Sequence, residues 1–465
     1  MRQPVTLGLS HTEETMRNKN SGDEETRRTF VKATGALGAA GVTALAGCSG
    51  GGGSGDGGSG DGGSGDGGSG DGGSSGTPLE VLHGWTGGDG ARAAEALVTA
   101  FEEQYPDMAT DFNPIGGGGN QNLDAVVANR LQSNDPPSSF ANWPGPNLRK
   151  YEGALGDVSD VWEENGFADS HVDEAVELHR LGDKFAAVPL GSHRLNCLFY
   201  NVAVVEEAGV DPSSVTSVAG LIDALETVAS ETDKIPMTHG MSGSWTTTQL
   251  WAAVMLGKEG FDAYMDFVEG NPSESAVRSA FESLGTILEN YINEDAASIG
   301  LTGSNQNIIN GNAAFIHQGN WAAGAFRNAE EFAYEDDWGF TPFPGTENMY
   351  TLHFDSFLYP ANNPTTEKAK TWLEFVGKKE AQIAFNQFKG SIPTRTDVSM
   401  DAFGPYLQET ATDFAEAEHR PPTLQHGLAV GAEVMTSLND VVTSEFTGPY
   451  NVDAATQGFV DAVSN

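Results

Sequence analysis

The sequence predicts an α/β protein with two lobes, and three observations support this prediction. Short apolar segments alternate with helix-like segments near the start of the globular part, which is typical of sheets flanked by helices. Roughly 390 residues follow a glycine-rich segment, more than one compact core usually accommodates. Extended segments also recur late in the chain, which indicates that it crosses between the lobes more than once.

The first elements alternate between strand and helix. Residues 79–82 form a short apolar strand, and residues 91–105 form a helix because Ala94, Leu97 and Phe101 recur at helical spacing. This alternation predicts a mainly parallel sheet, with ligands bound at the loops beyond the strand ends. Further along, the sequence predicts strands over 111–115, 195–201, 340–344 and 353–360, and helices over 122–131, 215–230, 250–256, 276–291 and 367–388.

Residues 1–47 predict export of the folded protein. Arg27 and Arg28 precede a small, apolar stretch over residues 33–46, as in a twin-arginine signal peptide. That stretch is shorter than the roughly 20 apolar residues that span a bilayer. It ends in a lipobox, which predicts lipidation of Cys48 and anchoring to the outer face of the cell membrane. Cleavage without lipidation is the alternative.

A segment rich in Gly, Ser and Asp follows over residues 48–77. Asp recurs in it at every fifth residue, without an apolar residue to build a core. The segment therefore predicts a disordered tether rather than a calcium-binding β-roll. The second cysteine, Cys197, lies in an apolar run and is expected to be a buried hydrophobic residue.

The charge of the chain is strongly negative. Its 24 Lys and Arg stand against 65 Asp and Glu, which gives a net charge of -41. This balance argues against binding to nucleic acid or to an anionic membrane surface. High salt screens such self-repulsion, so the composition predicts a halophilic source.

Signatures of enzymes and metal sites are not found in the sequence after residue 77. It has no GxSxG elbow, HExxH, CxxC or GxxxxGK[ST], and the histidines show no metal-ligand spacing. We therefore expect no catalytic residue, no metal and no cofactor. A pair of glycosidase carboxylates stays open among so many acidic residues.

Four tryptophans lie close to glycines in loops, where a core role is less common than inside a helix. A sugar ring packs its apolar face on an indole, while its hydroxyls bind carboxylates, amides and lysines. Each tryptophan alone is compatible with a structural role, but together they favour a sugar-binding cleft: Trp85, Trp143, Trp245 and Trp321.

Short segments spread from Leu79 to about Gly427 carry a family resemblance. They are Trp85-Thr86-Gly87-Gly88, Asp135-Pro136-Pro137, His193-Arg194-Leu195-Asn196, Gly319-Asn320-Trp321, Asp355-Ser356-Phe357, Lys389-Gly390-Ser391-Ile392 and His426-Gly427. In their order and spacing they resemble the solute-binding components of sugar ABC importers, in the maltose-binding-protein-like superfamily. The glucose/galactose-binding proteins are the most similar group.

The resemblance implies the periplasmic-binding-protein type II fold, in which two α/β lobes joined by hinge strands enclose a ligand cleft. It places lobe 1 at residues 78–190 and 342–390 and lobe 2 at residues 191–341 and 391–465. The hinge strands are expected near residues 188–195, 337–343 and 390–395.

In that family the sugar is held by aromatic stacking and by an Asp, a Lys and a His. The matching motifs imply these roles for Asp355, Lys389 and His426. Stacking or wall positions match Trp85, Trp245 and Trp321.

Two further residues lie where the chain first crosses between the lobes. His193 and Asn196 either reach the cleft or serve the hinge through hydrogen bonds to the backbone. Trp143 stands where the relatives place a histidine, which keeps an aromatic platform but removes an acceptor.

The sequence therefore predicts an extracellular, lipid-anchored receptor rather than an enzyme. It is expected to act as a monomer, to bind a glucose-like monosaccharide and to deliver it to the permease subunits of an ABC transporter. Two alternatives stay open. One is a secreted carbohydrate-active enzyme with Asp355 and a second carboxylate as acid and base; the other is a surface adhesion or structural module.

Overall fold

A computed structural model describes residues 76–88 and 90–464 of the chain. The predicted signal peptide, Cys48 and nearly all of the predicted tether lie outside these residues. Within the described part, no helix combines the length and the apolar character needed to cross a bilayer.

The strands and helices of the described chain alternate as follows. The strands are β1 (Leu79–His83), β2 (Thr110–Pro114), β3 (Ser139–Asn142), β4 (Arg180–Leu181), β5 (Lys184–Phe185), β6 (Ala187–Arg194), β7 (Cys197–Asn201), β8 (Ile235–Met237), β9 (Ala313–Gln318), β10 (Trp338–Pro342) and β11 (Leu352–Leu358). The helices are α1 (Ala91–Gln104), α2 (Gln121–Gln132), α3 (Ser159–Glu164), α4 (Phe167–Ser170), α5 (Asp173–Leu178), α6 (Val202–Ala208), α7 (Val218–Glu231), α8 (Trp245–Val268), α9 (Glu274–Asn290), α10 (Leu301–Ile309), α11 (Trp321–Asn328), α12 (Thr366–Val376), α13 (Lys379–Asn386), α14 (Pro405–Glu416), α15 (Ala432–Glu445) and α16 (Val452–Ser464).

Two larger sheets organise the fold. The first has the order β2-β1-β3-β11-β6 and the second the order β10-β7-β9-β8. β1 is parallel to β2 and β3, and β8 is parallel to β9, but β11 and β7 are antiparallel to both of their neighbours. The prediction of a mainly parallel sheet is therefore wrong. β11 enters the first sheet from the second one, without the helical crossover that would make it parallel.

Each sheet is covered by its own helices and apolar core. Phe101 of α1, Trp372 of α12 and Phe385 of α13 pack in the core of the first sheet. Trp251 of α8 and Phe281 of α9 belong to a core beside the second sheet, and both side chains are fully buried. Replacing such a residue with Ala costs about 3–5 kcal/mol. The α/β architecture with two lobes is confirmed.

The chain passes from one sheet to the other near the expected hinges. Leu195 and Asn196 connect β6 to β7, and residues 343–351 connect β10 to β11. After α13 the chain runs beside β6, where Ile392 forms a bridge with Ser192. The lobe boundaries given above stay a proposal.

The predicted helix over residues 367–388 is interrupted. It divides into α12 and α13 at Gly377 and Lys378. A Cβ atom at Gly377 would lie 2.3 Å from the ring of Phe167, so the close approach of α4 requires glycine there. The break lets α13 turn and pack against α1, and this brings the end of α13 to the candidate site.

Candidate functional site

A cavity of about 360 Å³ lies between the parts of the chain that carry the two sheets. Loops from both parts line it, including the loop after β1 and the segment that begins with Ser242. All sequence-predicted site residues except Asn196 line this cavity: Trp85, Trp143, His193, Trp245, Trp321, Asp355, Lys389 and His426.

The polar wall of the cavity is built on the paired strands β6 and β11. His353 lies opposite His193 in the antiparallel register. Asp355 follows His353 by two residues, so both side chains leave the same face of β11. The register shifts between Asp355 and Ser356, and such a bulge re-aims the side chains beside it. Strand alternation and a bulge thus bring three titratable groups together.

Asp355 is the acceptor at the centre of this wall. Its Oδ2 atom lies 2.9 Å from His193 Nε2, and its Oδ1 atom lies 3.8 Å from His353 Nε2. Burial alone would raise the pKa of the carboxyl, but the neighbouring His193, His353 and Lys389 hold it well below its usual value. Asp355 is therefore ionised at neutral pH and accepts hydrogen bonds only.

The hydrogen bonds of His193 define its orientation. An ionised Asp355 cannot donate, so the proton between the two residues belongs to His193 Nε2. His193 Nδ1 lies 2.5 Å from Asn320 Oδ1, while the Nδ2 atom of Asn320 is buried and has no hydrogen-bond partner among the described residues. His193 thus has a hydrogen-bond partner at each ring nitrogen, Asn320 at Nδ1 and Asp355 at Nε2. These two contacts hold the His193 ring between Asn320 and Asp355.

Two more imidazoles lie beside Asp355. Burial lowers the pKa of His353 to about 4 and that of His426 well below its usual value, so both are neutral at pH 7. Their rings are 4.6 Å apart, and within the described chain both Nδ1 atoms are buried without a hydrogen-bond partner. The backbone of His426 also has a φ of 79°, a conformation that costs a non-glycine residue about 1–3 kcal/mol. Strain and unpaired polar atoms together are characteristic of a binding site.

The indoles of Trp245 and Trp321 form an apolar wall of the cavity, in which Trp321 adjoins the imidazoles edge-on, at 5.5 Å from His193 and 5.2 Å from His426. They are the first residues of α8 and α11, and their ring centroids are 6.4 Å apart. Trp321 donates from Nε1 to Gln318 Oε1 at 3.1 Å. A Cβ atom at Gly319 would lie 2.4 Å from the Trp321 ring, so the glycine makes room for this orientation. Both indoles are thus fixed by the start of a helix.

Trp85 and Trp143 are half-buried and serve the cavity and a core at once. Trp85 packs against Phe385 at 4.9 Å and stacks on His83. Trp143 contacts the ring of His426 edge-on at 4.5 Å. Each of them contributes one surface to the cavity and another to packing.

The structure places Asn196 elsewhere. Its Nδ2 atom donates to Thr346 Oγ1 and to Met349 O, and its Oδ1 atom accepts from the backbone of Thr351. All of its hydrogen-bonding capacity joins two crossing segments. Asn196 is therefore withdrawn from the candidate site, and the hinge role that the sequence left open fits it instead.

His353 is the residue that the sequence reasoning missed. Its position two residues before Asp355 on a strand was a usable signal, because such residues share a face. Asn120, Ser242 and Thr302 also line the cavity, and no motif pointed to them. Within the described chain, no group of His, Cys, Asp and Glu is arranged to hold a metal ion.

Solved structures share this fold at low sequence identity. One is the bacterial solute receptor AcbH, whose structural description reports an exclusive preference for β-D-galactopyranose. It superposes with a TM-score of 0.70 and 16% identity, over 83% of this chain and 97% of AcbH. The two-lobe architecture is that of the periplasmic-binding-protein type II sugar receptors.

Sequence comparison identifies the family. The family of bacterial extracellular solute-binding proteins matches residues 96–412. The xylose/arabinose-binding protein XacG of Haloferax volcanii is 50% identical over 387 residues, which are 83% of this chain and 84% of XacG. The ABC transporter extracellular-binding protein PH1214 of Pyrococcus horikoshii is 30% identical over 390 residues, which are 83% of this chain and 87% of that protein.

The chain belongs to the family of bacterial extracellular solute-binding proteins. The family membership that the short sequence segments indicated is confirmed. The family and these relatives are solute-binding proteins, so the protein is a binding protein and not an enzyme. The alternative of a secreted carbohydrate-active enzyme is set aside.

Proposed function

We propose that the protein is the sugar receptor of an ABC importer and that it binds a monosaccharide in the cavity between its lobes. The cluster of Asp355, His193 and Lys389 beside the paired indoles carries this proposal. A buried carboxylate and an ammonium group bind hydroxyls strongly, while indoles pack on the apolar face of a sugar ring. Few other small solutes offer both surfaces.

The size of the cavity supports a single sugar ring. Its volume of about 360 Å³ is at the lower end of the roughly 300–1,000 Å³ of small-molecule sites. The sequence predicts a glucose-like hexose, whereas the similarity to XacG favours an aldopentose such as xylose or arabinose. We place the pentose first, and a titration against both classes decides between them.

Closure of the cleft is the proposed mechanism of delivery. Asp355 and Lys389 would contact the sugar from lobe 1, and Trp245 and Trp321 from lobe 2. A ligand that gains contacts from both lobes stabilises the closed form. The closed, loaded monomer then docks on the permease subunits, and ATP hydrolysis inside the cell drives release.

Attachment to the membrane completes the proposal. Residues 1–47 would direct export by the twin-arginine route, lipid on Cys48 would hold the protein at the outer face of the membrane, and residues 48–77 would be its tether. Replacing Cys48 with Ser should then release the protein into the medium. Retention of C48S in the membrane fraction would contradict lipid anchoring.

The charge of the chain supports a halophilic origin. A net charge of -41 destabilises the compact state unless salt screens it. The melting temperature should therefore rise as KCl is added. A maximum near zero added salt would refute this part of the proposal.

A binding screen tests the proposed function. The purified protein is titrated with D-xylose, L-arabinose, D-glucose and D-galactose in high salt, by calorimetry and by thermal denaturation. A sugar that binds only the folded protein stabilises it by about 2.7 kcal/mol at a free concentration of about 100 times Kd. No heat and no shift in melting temperature with any of the four would overturn the proposal.

A further inference from the structure

The segment that carries Lys389 is tied to a helix of the other lobe. α13 packs in the core of the first sheet through Ala381 and Phe385. α11 packs in a core of the second sheet, where Phe326 lies 5.5 Å from Phe199. The residues that follow α13 therefore contact α11 across the boundary between the two cores.

Two adjacent side chains at the end of α11 make this connection. Arg327 donates from Nη1 to Lys389 O at 2.6 Å and from Nη2 to Gln387 O at 2.8 Å. Asn328 donates from Nδ2 to Phe388 O at 3.1 Å. Three consecutive carbonyls that follow the end of α13 thus receive donors from a neighbouring helix, where no further helical turn supplies them.

The start of α11 holds the same segment on its other side. A Cβ atom at Gly390 would lie 1.6 Å from Asn320 O and 3.1 Å from the Cα atom of Trp321. The backbone at Gly390 therefore lies directly against the first turn of α11. Lys389 is fixed between this contact and the donors of Arg327 and Asn328.

A second cavity loop joins the same contact. Asn328 Nδ2 also lies 3.3 Å from Gly88 O, at the end of the loop that carries Trp85. Arg92 donates to Asn328 Oδ1 at 3.4 Å, and its guanidinium lies 4.4 Å from the centre of the Phe388 ring. The end of α11 thus connects two cavity-lining segments of the first lobe.

We propose that Arg327, assisted by Asn328, is a positioning residue for the sugar site, which holds the backbone of residues 387–389 so that Lys389 is directed into the cavity. The expected effect of Arg327 on sugar affinity rests on the proposed sugar-binding function. It does not require Arg327 to touch the sugar. Arg327 suits the role because its planar fork reaches two carbonyls at once, which the single ammonium of Lys cannot do with the same geometry.

The first test measures the rate at which the Lys389 amine is acetylated in the absence of sugar. Lys389 is 3% exposed, so an amine-acetylating reagent should modify it slowly in the wild type. In Arg327→Ala the rate at Lys389, measured by mass spectrometry, should rise about tenfold or more as the segment loosens. Lys150, in the first lobe, is the internal reference and should react at an unchanged rate. An unchanged rate at Lys389, or an equal rise at Lys150, would overturn the proposal.

The second test measures whether the effect of Arg327 on sugar binding depends on Lys389. D-xylose, L-arabinose and D-glucose are titrated in parallel. Arg327→Ala should raise Kd about tenfold in the wild-type background, but less than about twofold in a Lys389→Ala background, because its effect passes through Lys389. Arg327→Lys should lie between wild type and Arg327→Ala. Arg278→Ala, which removes an arginine that bonds Asp453 at the surface, is the matched control and should leave Kd unchanged.

The outcomes separate the two proposals. If the wild type binds none of the three sugars, the proposed function fails, while the acetylation rates still decide whether Arg327 positions Lys389. If the wild type binds sugar and the effects of Arg327→Ala and Lys389→Ala on the free energy of binding are additive, the positioning role is refuted.

Discussion

The two walls of the cavity are built in different ways. The strand wall consists of His193, His353 and Asp355, which lie on the paired strands β6 and β11. The indole wall consists of Trp245 and Trp321, which are the first residues of two helices. A hydrogen-bonded strand pair fixes the positions of polar atoms closely, and hydrogen bonds need that accuracy. An indole face tolerates small displacements, because dispersion and apolar burial are not directional.

This difference assigns a task to each wall. The strand wall should decide which hydroxyl pattern is accepted, since a missing or misplaced hydroxyl leaves buried polar groups unpaired. The indole wall should set the strength of binding for any ring with an apolar face.

Replacing Asp355 should have the largest effect. Asp355→Ala removes the carboxylate that pairs with His193 and leaves that buried imidazole without its partner. We expect Kd to rise about 100-fold or more for every sugar that binds, because truncating one member of a buried pair costs about 2–5 kcal/mol. Calorimetric titration measures it.

Asp355→Asn is the matched control for this change. It keeps the shape of the side chain but replaces one acceptor by a donor, so it should alter the ratio of Kd values between xylose, arabinose and glucose. A Kd within about twofold of wild type for Asp355→Ala would show that the carboxylate is not in the site.

Replacing Trp321 should have a smaller and less selective effect. Trp321→Ala removes an indole face and its hydrogen bond to Gln318, and we expect Kd to rise about tenfold. Trp321→Phe keeps a smaller aromatic face and should cost less. Both should weaken the tested sugars by similar factors, as the same titrations measure. A change in sugar preference as large as that of Asp355→Asn would contradict the division between the walls.

Replacing His353 should change the pH dependence of stability by a modest amount. The folded protein holds the pKa of His353 at about 4, against about 6.5 in the unfolded chain. As pH falls from about 6.5 to about 4, the unfolded chain gains a proton at this residue before the folded protein does, so stability is lost over that window.

His353→Gln removes this titration. Its melting temperature without sugar should therefore fall less steeply between pH 6.5 and pH 4, by about 2 °C or more at the acid end. Differential scanning calorimetry at fixed salt measures the difference. Burial also lowers the pKa values of His83 and His239 to about 4. Both residues are present in the wild type and in the variant, so they contribute equally to the slope of melting temperature against pH. Parallel curves would mean that His353 does not contribute.

The sequence was most informative where a motif coincides with a strand or with the start of a helix. The role of Asp355 is implied by the Asp-Ser-Phe motif of the family resemblance, which falls on β11, and Trp245 and Trp321 lie in glycine-containing segments where helices begin. Asn196 could not be judged in this way, because its partners at Thr346 and Thr351 lie about 150 residues away in the chain. Only the folded structure shows that the segment from Thr346 to Thr351 occupies both donor hydrogens and the oxygen of the Asn196 amide.

Long-range contacts also explain where the fold predicted from the sequence differs from the structure. Glycine is needed at position 377 because the ring of Phe167 packs against it, a contact that local periodicity does not contain. The antiparallel placement of β11 depends on its entry from the other sheet, whereas the alternation of strand and helix suggested parallel neighbours. His353 could have been predicted from the sequence, since its position two residues before Asp355 places both side chains on one face of a strand. The connection from Arg327 to Lys389 could not have been predicted, because no motif links α11 to the end of α13.

A crystal structure of the protein with the sugar that it binds most tightly would show whether Asp355 and the paired indoles form the sugar site. We expect the sugar in the cavity, with a hydroxyl donating to Asp355 and a ring face packed on Trp245 or Trp321. A sugar bound outside this cavity, or one that leaves Asp355 in contact with histidines alone, would contradict it.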